Sequence, residues 1–294
     1  MQTVHDCLPC FVNLALGSLK NCGASDGQVT DAMRKVFREL AEIDYRSTPP
    51  VTARMICRIV SEVLGVEDLY ANQKRHFNGF AETLLPVMQK KIVAEQDMFA
   101  VKVKLSIAAN IIDFGKNTNL SEDEVLENFE RAMHASVSFD AVTKLKNALR
   151  DAETVLFLCD NAGEIVFDRF LIEELPCEKL TCVVRGMPVL NDATLEDAEA
   201  IGLTAMVKVI ANGSDAPGTL LDECSSEFMD HFTAADVVIA KGQGNFETLS
   251  GITGKRIFYL LQVKCPLVAR DIGLPVGSLA IVDSAEGRQE KMVV

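Results

Sequence analysis

Three clusters of polar residues in this sequence each follow a short apolar run that has the character of a β-strand. The clusters and the runs before them are 160–164 after 154–159, 185–194 after 180–184, and 241–247 after 236–240. In a parallel sheet the carboxyl ends of the strands lie along one edge, where ligands bind. We therefore expect the polar side chains at these ends to converge, namely Asp160, Asn161, Asp192, Lys241 and Asn245. Two carboxylates, an amide and an ammonium suit a divalent ion together with a phosphate group.

Each cluster could also have a purely structural role. Asp160 followed by Asn161 is typical of a turn, and Asp192 is typical of a helix N-cap. Lys241 could belong to an exposed loop. The repetition of the pattern after three separate strands favours a common site over three unrelated surface features.

Familiar nucleotide and phosphate motifs do not match these clusters. A dinucleotide fingerprint starting at Gly242 would require glycine where Glu247 stands. A phosphate-binding loop of the Walker type would require glycine at Leu249 and a hydroxyl residue at Arg256. An Asp-x-Asp nucleophile motif would require an acid at Ala162.

Residues 1–152 show apolar spacing of three and four and almost no strand signal, which predicts an all-helical domain. The predicted helices are 25–43, 51–64, 69–93, 99–114, 121–135 and 140–152, with Ser25 and Ser121 as possible caps and Pro49-Pro50 as a break.

Residues 153–294 alternate short apolar runs with amphipathic segments, which predicts an α/β/α domain with a mainly parallel sheet. The predicted strands are 154–159, 180–184, 205–210, 236–240, 257–261 and 279–282, and the predicted helices are 164–175, 194–201, 220–232 and 246–250. The fold class is therefore α/β, with domain 1–152 packed on domain 153–294.

The predicted helix 99–114 is almost wholly apolar, and Asn110 and Asp113 share one of its faces. A buried carboxylate without a partner is costly. Either these two side chains form an internal hydrogen bond that anchors the helix, or this face forms the floor of a site on the α/β domain.

Composition limits the class of partner. With a net charge of −13 the chain is not expected to bind nucleic acid, whose recognition depends on Lys and Arg neutralising phosphates. A small phosphorylated ligand is compatible with this charge, because a bound metal and a lysine can reverse the local field. No apolar run approaches a membrane span and no secretory signal is evident, so we expect a cytoplasmic protein with no membrane partner. The sequence does not indicate an oligomeric state.

Nine cysteines are an odd number, and most lie in apolar patterns, which indicates buried thiols rather than a disulfide framework. Cys7 and Cys10 form a Cys-x-x-Cys pair, but no second pair completes a four-thiolate zinc site. The pair is either an ordinary helix start or an accessory metal site. A redox or metal-delivery role centred on Cys7 and Cys10 is a further hypothesis.

The three clusters together resemble the DUF89 family, the metal-dependent damage-control phosphatases also called ARMT1-like. The motifs that carry the resemblance are Asp160-Asn161-x-Gly163-Glu164, Pro188-x-x-Asn191-Asp192-Ala193-Thr194-x-x-Asp197-Ala198, and Lys241-Gly242-x-Gly244-Asn245-Phe246-Glu247. Cys7-x-x-Cys10 and Asn110-x-x-Asp113 are similar to the short prokaryotic branch of the family.

This resemblance implies a Rossmann-like α/β/α domain beside the helical one. It also implies a divalent cation, which is manganese, magnesium, nickel or cobalt, and hydrolysis of phosphate monoesters such as sugar phosphates or phosphopantetheine-type metabolites. The metal ligands of the family correspond to Asp160, Asn161 and Asp192, and its phosphate-binding lysine corresponds to Lys241.

We hypothesise that Asp160 and Lys241 are catalytic, with either a metal-polarised water or the Asp160 carboxylate attacking phosphorus. Candidates for binding phosphate or substrate are Asn245, Lys241, Ser214, Asn110 and Asp113. The alternative is a protein that binds a phosphorylated metabolite without turning it over.

Overall fold

The computed structural model of the chain describes residues 1–111 and 122–286. The helices of the first half are α1 Leu8–Asn21, α2 Asp26–Ala41, α3 Pro49–Leu64, α4 Ala71–Val93, α5 Met98–Ala108, α6 Glu122–Met133 and α7 Phe139–Asp151. Short 3₁₀ turns at His5–Cys7 and Ala109–Ile111 precede α1 and follow α5.

Local sequence explains where these helices begin and end. Ser25 caps α2, since its hydroxyl accepts from the backbone of Gln28 and the Gln28 side chain accepts from the backbone of Ser25. Pro49 and Pro50 form the first turn of α3 instead of interrupting a helix, because proline is preorganised for the first helical positions. The remainder of the predicted helix 99–114 beyond Ile111, including Asp113, lies outside the described residues, as does the predicted cap Ser121.

The second half forms a six-stranded sheet. Its strands are β1 Val155–Leu158, β2 Leu180–Val184, β3 Lys208–Ala211, β4 Val237–Lys241, β5 Ile257–Gln262 and β6 Leu279–Asp283. The spatial order is β3-β2-β1-β4-β5-β6, and the pairings among the first five strands are parallel, whereas β6 is antiparallel to β5. The connecting helices are α8 Glu164–Ile172, α9 Leu195–Ala200, α10 Ser226–Ala234, α11 Gly242–Leu249 and α12 Pro266–Ile272.

This strand order creates the crevice that positions the site. From β1 the chain moves outward to β2 and β3, then returns to the other side of β1 to form β4. Leu158 at the end of β1 is in register with Val183 of β2 and with Ala240 of β4. In open α/β sheets ligands bind where the strand order reverses, so the residues after β1, β2 and β4 occupy the expected position.

Three apolar cores stabilise the molecule. Helices α4–α7 share one core with α8 and one face of the sheet, in which Phe157, Phe167 and Phe258 are buried together. A second core lies between the opposite face and α10 to α12, and a third lies among α1, α2 and α3. The division into domains 1–152 and 153–294 stays a prediction, since α4–α7 join the core of the sheet while α1–α3 surround their own.

The structure corrects several predicted boundaries. The third polar cluster is not a loop, because Lys241 ends β4 and α11 begins at Gly242 instead of residue 246. The predicted helix 220–232 is divided into a 3₁₀ turn, Leu221–Glu223, and α10. Helix α12 was not predicted, since its short length gives too little periodicity. Within the described residues, no helix has both the length and the apolar character needed to cross a membrane.

Helix α11 also contacts the amino terminus of the chain. The ammonium of Met1 donates to the backbone carbonyl of Glu247 at 2.8 Å. The Glu247 side chain is only 7% exposed, and burial raises its pKa to about 7, although the hydrogen bond from Gln243 and the terminal charge oppose this shift.

A buried carboxyl with a raised pKa makes stability depend on pH. The folded chain holds the Glu247 proton more tightly than the unfolded chain, whose carboxyl has the ordinary pKa of 4.5. This contribution is therefore complete at low pH and is lost as the pH rises through about 7. Relative to Glu247→Gln, the wild-type free energy of unfolding should fall by about 3 kcal/mol as the pH rises from the unfolded pKa of 4.5 to the folded pKa of about 7. Urea titrations at several pH values measure this difference.

The matched control is Glu39→Gln, which changes an exposed glutamate of α2. Its stability should follow the wild-type pH curve. If the Glu247→Gln and wild-type curves run parallel, the carboxyl is not buried in its acid form.

Candidate functional site

Backbone hydrogen bonds join the first two polar clusters. Asn161 and Asp192 form an isolated antiparallel bridge beyond the ends of β1 and β2. The N–H of Ala193 donates to the carbonyl of Asp160 at 2.8 Å, and the N–H of Ala162 donates to the carbonyl of Asn191 at 2.9 Å. The structure thus brings Asp160, Asn161 and Asp192 together, as the strand-end pattern predicted.

Two amides hold the carboxylates that follow β1. Asn110 Nδ2 donates to Asp160 Oδ2 at 2.7 Å and to Glu164 Oε2 at 2.6 Å. Asn161 Nδ2 donates to the same two oxygens at 2.9 and 3.0 Å. Asn110 therefore contacts two carboxylates of the α/β half of the chain, whereas the alternative, an internal bond with Asp113, involves a residue outside the described ones. Asn110 comes from the helical half of the chain and contacts the candidate site directly.

Arg185 is the cation next to Asp160 and Asp192, and it was not among the predicted site residues. Its Nε donates to Asp192 Oδ2 at 2.6 Å, and its Nη2 lies 3.5 Å from Asp160 Oδ1. The side chain is 1% exposed, and Nη2 makes no hydrogen bond within the described residues. The signal available in the sequence was its position as the first residue after β2, inside the second cluster.

Lys241 is fully buried and contacts the Glu164 oxygen that the two amides do not contact. Its Nζ donates to Glu164 Oε1 at 2.7 Å, to Asp168 Oδ1 at 2.5 Å and to the carbonyl of Ser106 at 2.9 Å. Burial acts to lower the pKa of Lys241, but the charges of Asp168 and Glu164 outweigh burial and raise it. All three ammonium donors are occupied. A direct contact between Lys241 and phosphate stays a prediction, and it requires one of these bonds to exchange.

The remaining predicted residues bind the chain itself. Asn245 Oδ1 accepts from Thr219 Oγ1 at 2.8 Å, and Asn245 Nδ2 donates to the carbonyl of Lys241 at 2.8 Å. Ser214 Oγ accepts from the N–H of Ala216, and the Ser214 carbonyl accepts from Gly186. Their roles in binding phosphate stay predictions, and Asp113 lies outside the described residues.

In the part of the chain that the structure describes, the buried acids at the site outnumber the cations paired with them. We define the acid cluster as Asp160, Glu164, Asp168 and Asp192, all of which are buried. Four carboxylates thus face two ion-paired cations, Arg185 and Lys241. Burial, followed by the charges of Glu164 and Asp192, raises the pKa of Asp160 well above its ordinary value. Burial also raises the pKa of Asp192, although Arg185 opposes the shift.

These donors fit a hard divalent cation. A dication would balance the excess negative charge, and carboxylate and amide oxygens are ligands that such ions prefer. No group of three or more His, Cys, Asp or Glu side chains in residues 1–111 and 122–286 is placed so that it could hold a metal ion. The predicted ligand set, Asp160, Asn161 and Asp192, contains only two such side chains and an amide, so water or substrate would have to complete the shell, and the set stays a prediction.

Two glycines in the loops around the site have no room for a side chain. A Cβ on Gly186 would lie 2.4 Å from Gly213 Cα, and a Cβ on Gly242 would lie 1.9 Å from Asp160 Oδ2. Gly242 also has a φ of 77°, which non-glycine residues rarely adopt. The turn between β4 and α11 can reach the Asp160 carboxylate because Gly242 has no side chain.

A cavity of about 150 Å³ lies between α3 and the loop that leads to Asp192. Residues 187–190 and Asp215 line it on one side, and Arg54, Cys57 and Arg58 line it on the other. Arg58 pairs with Asp215 through Nε at 2.6 Å and Nη2 at 2.9 Å. The cavity therefore has hydrogen-bond donors and acceptors contributed by both halves of the chain.

Buried carboxylates at the switch point of a mainly parallel sheet define an α/β protein with a candidate metal and phosphate site. The chain belongs to the family of the damage-control phosphatase ARMT1-like domain, whose model matches residues 3–280. The resemblance inferred from the three clusters is confirmed, and membership supports a phosphatase activity.

Individual relatives cover nearly the whole chain. The chain is 34% identical over 283 residues to damage-control phosphatase PH1575 of Pyrococcus horikoshii, covering 95% of this chain and 97% of that protein. It is 34% identical over 280 residues to a damage-control phosphatase of Archaeoglobus fulgidus, covering 93% and 96%. A crystal structure of a DUF89 family protein from Pyrococcus horikoshii has a TM-score of 0.89 at 33% identity, covering 97% of this chain and 99% of that one. The predicted α/β fold class is confirmed.

Removing the buried ammonium should be strongly destabilising. Lys241→Met leaves Glu164 and Asp168 without their shared cation, and breaking a buried ion pair costs about 3–5 kcal/mol. Adding Asp168→Asn should restore part of the loss, because one uncompensated charge is then removed. The free energy of unfolding from urea titration measures both effects.

Lys144→Met is the control for Lys241→Met, because Lys144 pairs with Asp140 and Glu286 on the surface and should change stability little. Equal stabilities of the Lys241→Met and Lys144→Met variants would contradict the role of Lys241 as a buried counter-ion.

Gly242→Ala should be destabilising, since its methyl group collides with the Asp160 carboxylate and the residue has a positive φ. We expect a loss of about 2–4 kcal/mol in the free energy of unfolding. Gly251→Ala is the control, because a Cβ there has no atom within 4 Å. A Gly242→Ala variant as stable as Gly251→Ala would show that the turn does not contact Asp160.

Proposed function

We propose that this chain is a divalent-metal-dependent phosphatase that hydrolyses phosphate monoesters of small metabolites. The observation that carries the proposal is the acid cluster, in which four buried carboxylates face two paired cations. Membership of the damage-control phosphatase family supports the same reaction class. Asp160, Asn161 and Asp192 would hold the cation.

When bound, a divalent cation supplies Lewis-acid stabilisation of the phosphoryl oxygens. The proposed ligands are oxygen atoms, and such ligands suit magnesium and manganese. The family resemblance also implies nickel and cobalt as candidate metals. The proposed ligand set contains no thiol.

The side chains around the proposed ligands orient them and act against the rise in pKa that burial causes. Asn110 donates to Asp160 and Glu164, and Arg185 donates to Asp192. Both contacts favour the charged form of the carboxylates despite their burial. The Nη2 of Arg185 makes no hydrogen bond within the described residues and would be a donor for a phosphoryl oxygen, because a guanidinium binds phosphate through its N–H groups.

The cavity beside Asp192 would take the part of the substrate that leaves with the ester oxygen. Its volume of about 150 Å³ suits a small group. The polar side chains of Arg54, Arg58 and Asp215 favour a leaving group with hydroxyls, such as a sugar phosphate, over a largely apolar one. A phosphopantetheine-type substrate would have to extend beyond this cavity.

Asp160→Asn tests the proposal, because it keeps the size of the side chain and removes its charge. Release of phosphate from p-nitrophenyl phosphate should require manganese, magnesium, nickel or cobalt. The variant should be slower by roughly 10²–10⁴, as expected when a main stabilising contact of the transition state is lost. Melting curves establish that the variant is folded.

Asp230→Asn, an exposed change on α10, is the control and should retain wild-type activity. Full metal-dependent activity of Asp160→Asn would rule out the proposed ligand set. Binding of phosphate esters without release of phosphate under any of the four metals would instead indicate a metabolite-binding protein.

A further inference from the structure

The pair Cys7 and Cys10 lies outside the candidate site. Cys7 ends the 3₁₀ turn His5–Cys7 and is the N-cap of α1, and Cys10 is the third residue of that helix. Cys7 is 8% exposed, whereas Cys10 is on the surface. One thiol is therefore open to reagents in solution and the other is held behind it.

The helical path of the backbone brings Cys7 and Cys10 near each other, three residues apart at the start of α1. Cys7 has right-handed helical angles, φ −78° and ψ −23°, so the helical path continues from the 3₁₀ turn into α1. Side chains three apart on a helix have Cβ atoms about 5–6 Å apart. A disulfide requires about 3.5–4.5 Å, so closure needs a small contraction of one turn.

The surroundings give the two thiols different roles. Burial raises the pKa of the Cys7 thiol, a hydrogen bond with the Val4 backbone lowers it, and the charges of Glu247, Cys265 and Cys10 raise it. Cys7 also packs in the core among α1, α2 and α3, against which Cys265 is packed. Exposed Cys10 is thus the thiol that an external disulfide reaches first, and Cys7 is the neighbour that attacks second.

We propose that Cys7 and Cys10 form a reversible intramolecular disulfide by exchange with a low-molecular-weight disulfide. The Cys10 thiolate attacks one sulfur of the disulfide, whose S–S bond breaks and releases one thiol after protonation. Cys7 then gives its proton to solvent and attacks Cys10 Sγ, which breaks the mixed disulfide and releases the second thiol. Two electrons pass from the protein dithiol to the small disulfide, which is reduced to two thiols.

A metal clip is the competing use of this pair. Two thiolates supply only half of a tetrahedral zinc shell. Within the described residues, no set of three His, Cys, Asp or Glu side chains is arranged for a metal ion. The disulfide needs only the two thiols that the helix start already holds together.

Peptide mass analysis after exposure to oxidised glutathione provides the test. Trypsin releases residues 1–20 with Cys7 and Cys10 as the two cysteines of the peptide, while Cys177 and Cys265 fall in the separate peptides 170–179 and 265–270. The full chain should give peptide 1–20 lighter by two hydrogens and without a glutathione adduct. Exposed Cys177 should acquire an adduct. Dithiothreitol should reverse both changes.

Serine variants separate the two steps. In Cys7→Ser, the glutathione adduct on Cys10 should persist at least about tenfold longer than in wild type, because the second attack is lost. In Cys10→Ser, no internal bond should form in peptide 1–20. Cys265→Ser should behave like wild type.

Three results would overturn the proposal. The first is an adduct on Cys10 that persists as long in wild type as in Cys7→Ser. The second is a crosslink between peptides 1–20 and 265–270. The third is about one equivalent of zinc on the reduced chain that Cys7→Ser or Cys10→Ser removes.

Discussion

A buried ammonium holds the candidate site together. Lys241 at the end of β4 reaches Glu164 and Asp168 of α8 and the carbonyl of Ser106 in α5, so one cation links three elements. Without it, two carboxylates would lie charged and unpaired in the interior, which is costly. Glu164 in turn shares its amide donors with Asp160. The geometry of the proposed metal ligands therefore depends on an ion pair whose Glu164 side chain also accepts a hydrogen bond from Asn161.

The helical half of the chain is part of the site and not only a cover for it. Asn78 of α4 accepts from the N–H of Gly163 at 2.6 Å and donates to Asp197 at 3.0 Å. Lys74, one helical turn earlier, pairs with the same Asp197 at 3.0 Å. These contacts fasten the turn after β1 and the start of α9 to α4. The loops that carry Asp160 and Asp192 are thus set by helices far from them in sequence.

The sequence predicted which residues come together wherever the order of the strands alone determines their position. Polar residues after parallel strands must meet at one edge, and Asp160, Asn161 and Asp192 do so. Side-chain partners depend on register and packing, which a single sequence does not contain. The buried ion pair of Lys241 and the contact of Arg185 with Asp192 were therefore not predicted, and binding of phosphate by Lys241 stays a prediction. Asn110 had two interpretations, and its contact with Asp160 could not be foreseen without the packing of the two halves of the chain.

The close approach of Gly186 to Gly213 fixes the path of the main chain but leaves nearby side chains free to vary. These loops meet through their backbones, so their spacing is set by the absence of side chains at that contact. Residues 187–190 and Asp215, which line the cavity, lie just beyond it. Side chains there can change in size and charge while the path of the main chain to Asp192 is kept. A scaffold of this kind allows the lining of the cavity to diverge without moving the residues proposed to hold a metal ion.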